Sequence, residues 1–129
     1  MGAAYYPSFE RAVKGYEPAT AMSGKMIARQ IEELDAVCTR LQVAPLSSFY
    51  SESAAEAFEK IGEEMPEGMH DKPVRWSEAK DALRTVNSLL ELYRSNAAEQ
   101  KVVKDLEDLR DILVVAVEHG TRFRSRIDI

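Results

Sequence analysis

This chain has almost no cysteine, few histidines, no long apolar run, and little proline or glycine in its second half. Each shortage excludes something. The single thiol, Cys38, leaves no partner for an internal disulfide and fits a reducing compartment. The two histidines, His70 and His119, stand far apart in sequence, and neither belongs to an HExxH pair. The longest apolar run, Ile112 to Val117, has six residues, far short of the roughly 20 that span a bilayer. All five prolines lie at or before Pro73, and Gly120 is the only glycine beyond it. With no φ-locked ring or flexible backbone to interrupt the hydrogen-bond ladder, residues 75–119 are free to form long helices.

What is present is an ordinary globular mixture. The 129 residues are 45% apolar and 30% charged, enough for a single helical domain over 1–129 with its own core. The formal net charge is −5 and the pI lies near 5.1. Phosphate recognition needs clustered lysine and arginine, whereas most bases here are interleaved with acids, so no nucleic-acid partner is expected. The charge is uneven: residues 1–74 hold twelve acids and seven bases, and residues 75–129 hold ten of each. The opening Met1-Gly2-Ala3-Ala4 has neither a basic and apolar leader nor the serine or threonine of a myristoylation site. A cytoplasmic protein with no membrane partner is the expectation.

Apolar spacing predicts the helices. Leu83, Val86, Leu90 and Tyr93 step by three and four residues, and Val102, Leu106, Leu109, Leu113 and Ala116 repeat the rhythm after Ser95-Asn96. Side chains at that spacing share one face, so an antiparallel hairpin is expected, with helices over 77–94 and 97–119. Ser77 and Asn96 are the expected N-caps and Gly120 the left-handed stop. The register continues through 112–117, so that run reads as helix, covered on most sides, rather than as strand. Upstream, Ile27, Ile31, Leu34, Cys38 and Leu41 predict a helix over 24–41, capped by Ser23 and ended before Pro45. Ser53 with Glu56 is a capping-box signature opening a short helix over 53–61, with Ala54, Phe58 and Ile61 inward and Gly62 as its stop. In the tail, Phe123, Ser125, Ile127 and Ile129 alternate with Arg122, Arg124, Arg126 and Asp128, the two-residue period of a half-buried strand. Its backbone needs a mate, and the segment 5–11 is the candidate. The expected fold class is mainly α: a four-helix bundle-like domain with a short two-stranded antiparallel β element joining the chain ends.

No catalytic constellation stands out. Glu63, Glu64, Glu67, His70 and Asp71 gather oxygen donors and an imidazole, but without a helical ligand pair or a calcium-loop pattern, so they read as a solvated loop and no metal is assigned. His119 sits where a helix C-terminus attracts a cation. Glu107, Asp108 and Asp111 lie close together, yet beside Lys104 and Arg110, as on any charged helix face. Ser77-Glu78-Ala79-Lys80 lacks the companion motifs of serine acyl enzymes, and Gly24-Lys25 lacks a preceding glycine-rich loop. Cys38 falls on an apolar stripe and reads as core. No catalytic residue and no cofactor is therefore assigned, and the reading leans away from an enzyme.

Charge is the stronger lead. From Glu52 to Asp71 seven acids face one base, Lys60, a surface suited to steering a basic protein partner. Glu63, Glu64, Glu67, His70 and Trp76 form the expected interaction surface, with Trp76 an anchor if exposed and part of the core if buried. Arg122, Arg124 and Arg126 form the only local basic stripe. They read as a charged outer strand face that discourages edge pairing, in preference to a docking site for an acidic partner. The leading function is a non-enzymatic protein–protein interaction module, of which immunity and antitoxin-type proteins are one concrete form. The alternative is a small-molecule-binding protein or enzyme, with a pocket between the two hairpin helices and residues 46–50, lined by Tyr50, Tyr93 and His119. A homodimer formed by pairing the chain-end strands is a third option.

Three short pieces also carry a resemblance: Gly24-Lys25 followed by Glu33-Leu34-Asp35, then Pro45-Leu46-Ser47-Ser48-Phe49, then Glu118-His119-Gly120 before the closing alternating segment. On these the chain resembles a family of small uncharacterised bacterial proteins with no known activity. The resemblance implies a stand-alone cytoplasmic protein and carries over no catalytic residue.

Overall fold

The computed structural model describes residues 3–128. Its spine is the expected hairpin, α4 (Ala79–Tyr93) against α5 (Gln100–Glu118). Val102, Leu106, Leu109, Leu113 and Ala116 of α5 are all buried, and so are Ala82, Val86, Leu89, Leu90 and Tyr93 of α4. Leu83, expected on the inner stripe, is only half-buried. Asn96 organises the turn by accepting the Ala98 N–H at 3.0 Å. At the far end Gly120 adopts φ 63°. The Thr121 N–H then reaches the Ala116 carbonyl at 3.0 Å and the Gly120 N–H the Val117 carbonyl at 3.1 Å. These are the paired closing bonds of a Schellman ending, which consume carbonyls the helix leaves open.

The apolar run 112–117 is helix, as the register requires, but its covering is partial. Ile112, Leu113 and Ala116 are buried, whereas Val114 and Val117 are 38% and 48% exposed. Ser77 does not cap α4 either. Glu78 is the N-cap residue and makes no side-chain capping bond, while the backbone of Ser77 exchanges two hydrogen bonds with Phe123, at 2.7 and 3.0 Å.

The helix expected over 24–41 is two helices, α1 (Lys25–Arg29) and α2 (Ile31–Leu41), broken at Gln30, whose φ is −109° and ψ 18°. Its start is built by distant residues rather than by Ser23. Gly24 sits at φ 71°, and its carbonyl accepts the Tyr5 N–H at 3.0 Å. A Cβ there would fall 1.8 Å from the Tyr5 carbonyl oxygen, so no other residue fits. The open N–H groups of α1 are met from α5: the buried Asp105 carboxylate accepts from Met26 at 2.9 Å and Ile27 at 3.3 Å. A carboxylate at that end also answers the partial positive charge of the helix terminus. Leu41, at the end of the predicted stripe, is 38% exposed.

The chain ends meet as predicted. β1 (Ala4–Phe9) pairs antiparallel with β2 (Phe123–Asp128), placing Tyr5 opposite Ile127, Pro7 opposite Ser125 and Phe9 opposite Phe123. Tyr5, Pro7, Phe123 and Ser125 are buried, and Phe123 packs its ring against Phe49, 5.6 Å between centroids. The outer edge of β2 is covered within the same chain by Ser77 and by the Ser51 N–H, which donates to Ser125 at 3.2 Å. The strand pairing is thus intramolecular. Together these elements make a mainly helical body closed by a two-stranded sheet. The four-helix bundle is not established as such, because α3 (Ala54–Lys60) contributes no buried residue and makes no extensive packing against another helix among the described residues.

Candidate interaction face

α3 begins with the predicted capping box: the Ser53 hydroxyl accepts the Glu56 N–H at 3.1 Å, and the Glu56 carboxylate accepts the Ser53 N–H at 3.0 Å. Gly62 closes the helix at φ 76°. The inward positions fare differently: Ala54 and Phe58 are half-buried, and Ile61 is 59% exposed. The helix is held instead by charge. Glu56 receives both terminal nitrogens of Arg124, each at 2.6 Å, and Arg126 Nη2 approaches it at 3.4 Å. Glu52, its side chain 2% exposed, accepts from Lys60 Nζ at 2.7 Å and faces Arg126 Nε at 3.5 Å. Lys60 also donates to the Ile127 carbonyl at 2.5 Å, and Arg124 to the Ser51 carbonyl at 3.1 Å.

The arginine stripe is therefore no free surface. Alternation along β2 puts Arg124 and Arg126 on the face away from Phe123 and Ser125, and the helix opened by Glu56 lies over them. Arg122, farther along, pairs with Glu10 through two bonds of 2.6 and 2.8 Å. Trp76 is half-buried because the Arg124 guanidinium carbon sits 5.4 Å from its ring centroid, a cation–π arrangement rather than an open anchor. Bidentate hydrogen bonding from Arg124 holds the Glu56 carboxyl down to about 2, against the opposing effect of burial. The clamp is nonetheless incompletely satisfied: Glu52 Oε2, Arg124 Nε and Arg126 Nε are buried without a hydrogen-bond partner among the described residues.

The acidic segment is thereby split in two. Glu52 and Glu56 are consumed internally, and Asp71 accepts the Ala55 N–H at 3.2 Å. Glu59, Glu63, Glu64 and Glu67 are exposed and form no ion pair among the described residues. His70 is exposed in the same loop, and Met69 and Ile61 leave 46% and 59% of their surface open. Among the described residues, no three histidine, cysteine, aspartate or glutamate side chains come together as a metal site.

The residues proposed for a pocket are not brought together. Tyr93 is buried near the hairpin turn, where burial, then Glu33 and Glu99, raise its pKa. His119 lies at the opposite end of α5, exposed beside Arg11, Lys14 and Thr121. The 19 residues of α5 separate the two by about 28 Å at the α-helical rise. Tyr50 is 37% exposed against the charged clamp, where burial and then Glu52 raise its pKa. A shallow surface depression elsewhere has other walls, Leu41, Ser88, Glu91 and Leu92. Cys38 is fully buried, and burial pushes its thiol up to about 11, so it stays protonated at neutral pH.

Sequence reasoning missed the partners of Arg124 and Arg126. The signal was present only as complementary charge: two glutamates close in sequence, Glu52 and Glu56, and two arginines on one strand face, Arg124 and Arg126. Pairing them across so many residues, however, requires knowing that the 51–60 segment crosses β2. Among the described residues, no helix is long and apolar enough to cross a membrane. Comparison with known proteins supplies no relative: no family model matches the chain, nor does any curated protein or solved structure.

Proposed function

We propose that this chain is a non-enzymatic protein-binding module that presents residues 59–69 to a basic partner. One observation carries the reading: Glu59, Glu63, Glu64 and Glu67 stand exposed beside the open apolar side chains of Ile61 and Met69. Charge steers an approaching basic surface, and apolar side chains within it supply the burial that holds a complex. An immunity or antitoxin-type role, in which a small acidic protein neutralises a basic one, is the concrete form this takes. In this reading the chain acts as one cytoplasmic domain, its helices in a bundle-like body, and Trp76 supports the surface from behind Arg124 rather than anchoring the partner.

The test is affinity capture from the host lysate with the wild-type chain and with a Glu63→Lys, Glu64→Lys, Glu67→Lys variant, at low and high salt. Proteins of high pI should be retained by the wild type at low salt, released at high salt, and lost to the variant. Equal capture by both chains rules out this surface.

A further inference from the structure

The middle of the chain is attached to the rest by a different physics from the core. None of Ala54, Phe58 or Ile61 joins the core cluster, and α3 has no buried residue. Its attachments to the sheet are instead polar: Arg124 to Glu56 and to the Ser51 carbonyl, Lys60 to the Ile127 carbonyl, Arg126 beside Glu52 and Glu56, and the Ser51 N–H to Ser125. Three cations thus hold two carboxylates, and three of the nitrogens and oxygens involved have no hydrogen-bond partner among the described residues. A polar cluster left half-satisfied stabilises weakly for its size. The flanks differ. Phe49 before the segment is buried against Phe123, and Ala79 after it is buried at the start of α4.

We infer that residues 51–75 form a strap latched by charge across the outer face of the chain-end sheet, which opens as a unit while the hairpin and the sheet stay folded. Both hinges follow from the flanks: apolar anchors at Phe49 and Ala79 fix the ends, and the span between them contains Gly62, Pro66, Gly68 and Pro73. Opening uncovers Arg124 and Arg126, frees Glu52 and Glu56, and releases the Arg124 guanidinium to swing away from the Trp76 ring it now covers. The groups facing Glu56 are Arg124 and Arg126 from β2 and the Ser53 N–H from its own helix. Lys60 and Glu52 complete the charged ring. Local opening of this kind is read by amide exchange, because amides of the opened unit exchange without global unfolding.

Hydrogen–deuterium exchange at neutral pH and low salt tests the strap, comparing wild type with Glu56→Gln. Glutamine keeps an oxygen for the capping box and removes the charge that Arg124 holds. Amides of 54–60 should exchange about tenfold faster or more in the variant, with amides of 102–116 unchanged. Acrylamide should quench Trp76, the sole tryptophan, more strongly in the variant. Glu59→Gln removes the same charge from the same helix without touching a cation, and should exchange like wild type. Should Glu56→Gln fail to fold, wild type moved from low salt to 1 M sodium chloride gives the same readout, since screening weakens the latch. Equal acceleration in α3 and α5, or none in α3, overturns the proposal.

Discussion

The α4–α5 hairpin and the α3 strap are both helical, yet they cohere for opposite reasons. In the hairpin, Val86, Leu90, Leu106 and Leu113 are removed from water, and burial of that kind is non-directional and is not weakened by charge screening. In the strap, Glu56 and Arg124 need one geometry and one ionisation state. The first region is robust to changes of condition and intolerant of changes of volume; the second is the reverse. Secondary structure of one type says nothing about what holds it in place.

The comparison breaks most visibly through the core. Leu113→Ala should cost about 2–5 kcal/mol, because the lost methyl groups leave a cavity between packed helices. Thermal or urea unfolding should shift for every probe at once, including one in α3, since the strap has nothing to rest on once the hairpin goes. A shift confined to the hairpin would mean the two regions fold separately. Asp105→Ala is next, at about 1–3 kcal/mol, because it leaves the Met26 and Ile27 N–H groups without an acceptor. The urea midpoint should fall with an unchanged slope. A smaller effect separates the regions by pH. The Glu56 carboxyl is held down to about 2 by Arg124, so its contribution is complete above the ordinary carboxylate range and fades as pH falls toward 2. The protection factors of α3 amides, exchange taken relative to the intrinsic rate at each pH, should therefore fall across that acid window before near-ultraviolet circular dichroism reports loss of the core. Simultaneous loss would place the latch and the core in one cooperative unit.

The same contrast explains what was legible in the sequence. The positions 102, 106, 109, 113 and 116 announced a buried helical face, and the alternation of 122–128 announced a strand, because both patterns are local and periodic. The Ser53–Glu56 box and the Gly120 stop were legible for the same reason. What stayed hidden were bonds between residues far apart in the chain. Ser23 looked like the cap for α1, and Asp105 took the role from another helix. Glu52 and Glu56 looked like part of an open acidic surface, and Arg124 and Arg126 absorbed them. Val114 and Val117 looked covered because an apolar run does not state how many neighbours surround it. The exposed loop around Glu63, Glu64 and Glu67 was readable because nothing folds onto it.

The pairing of Phe9 with Phe123 has a kinetic side. Contacts that join segments so far apart close late, since nearly the whole chain must be gathered first, whereas α4 and α5 find each other across a short turn. During synthesis the first strand therefore leaves the ribosome long before its mate exists, with Tyr5 and Pro7 still wet. The hairpin is the template on which the two termini finally meet, so a slow or interrupted C-terminus leaves the N-terminal aromatics open to aggregation rather than merely unpaired.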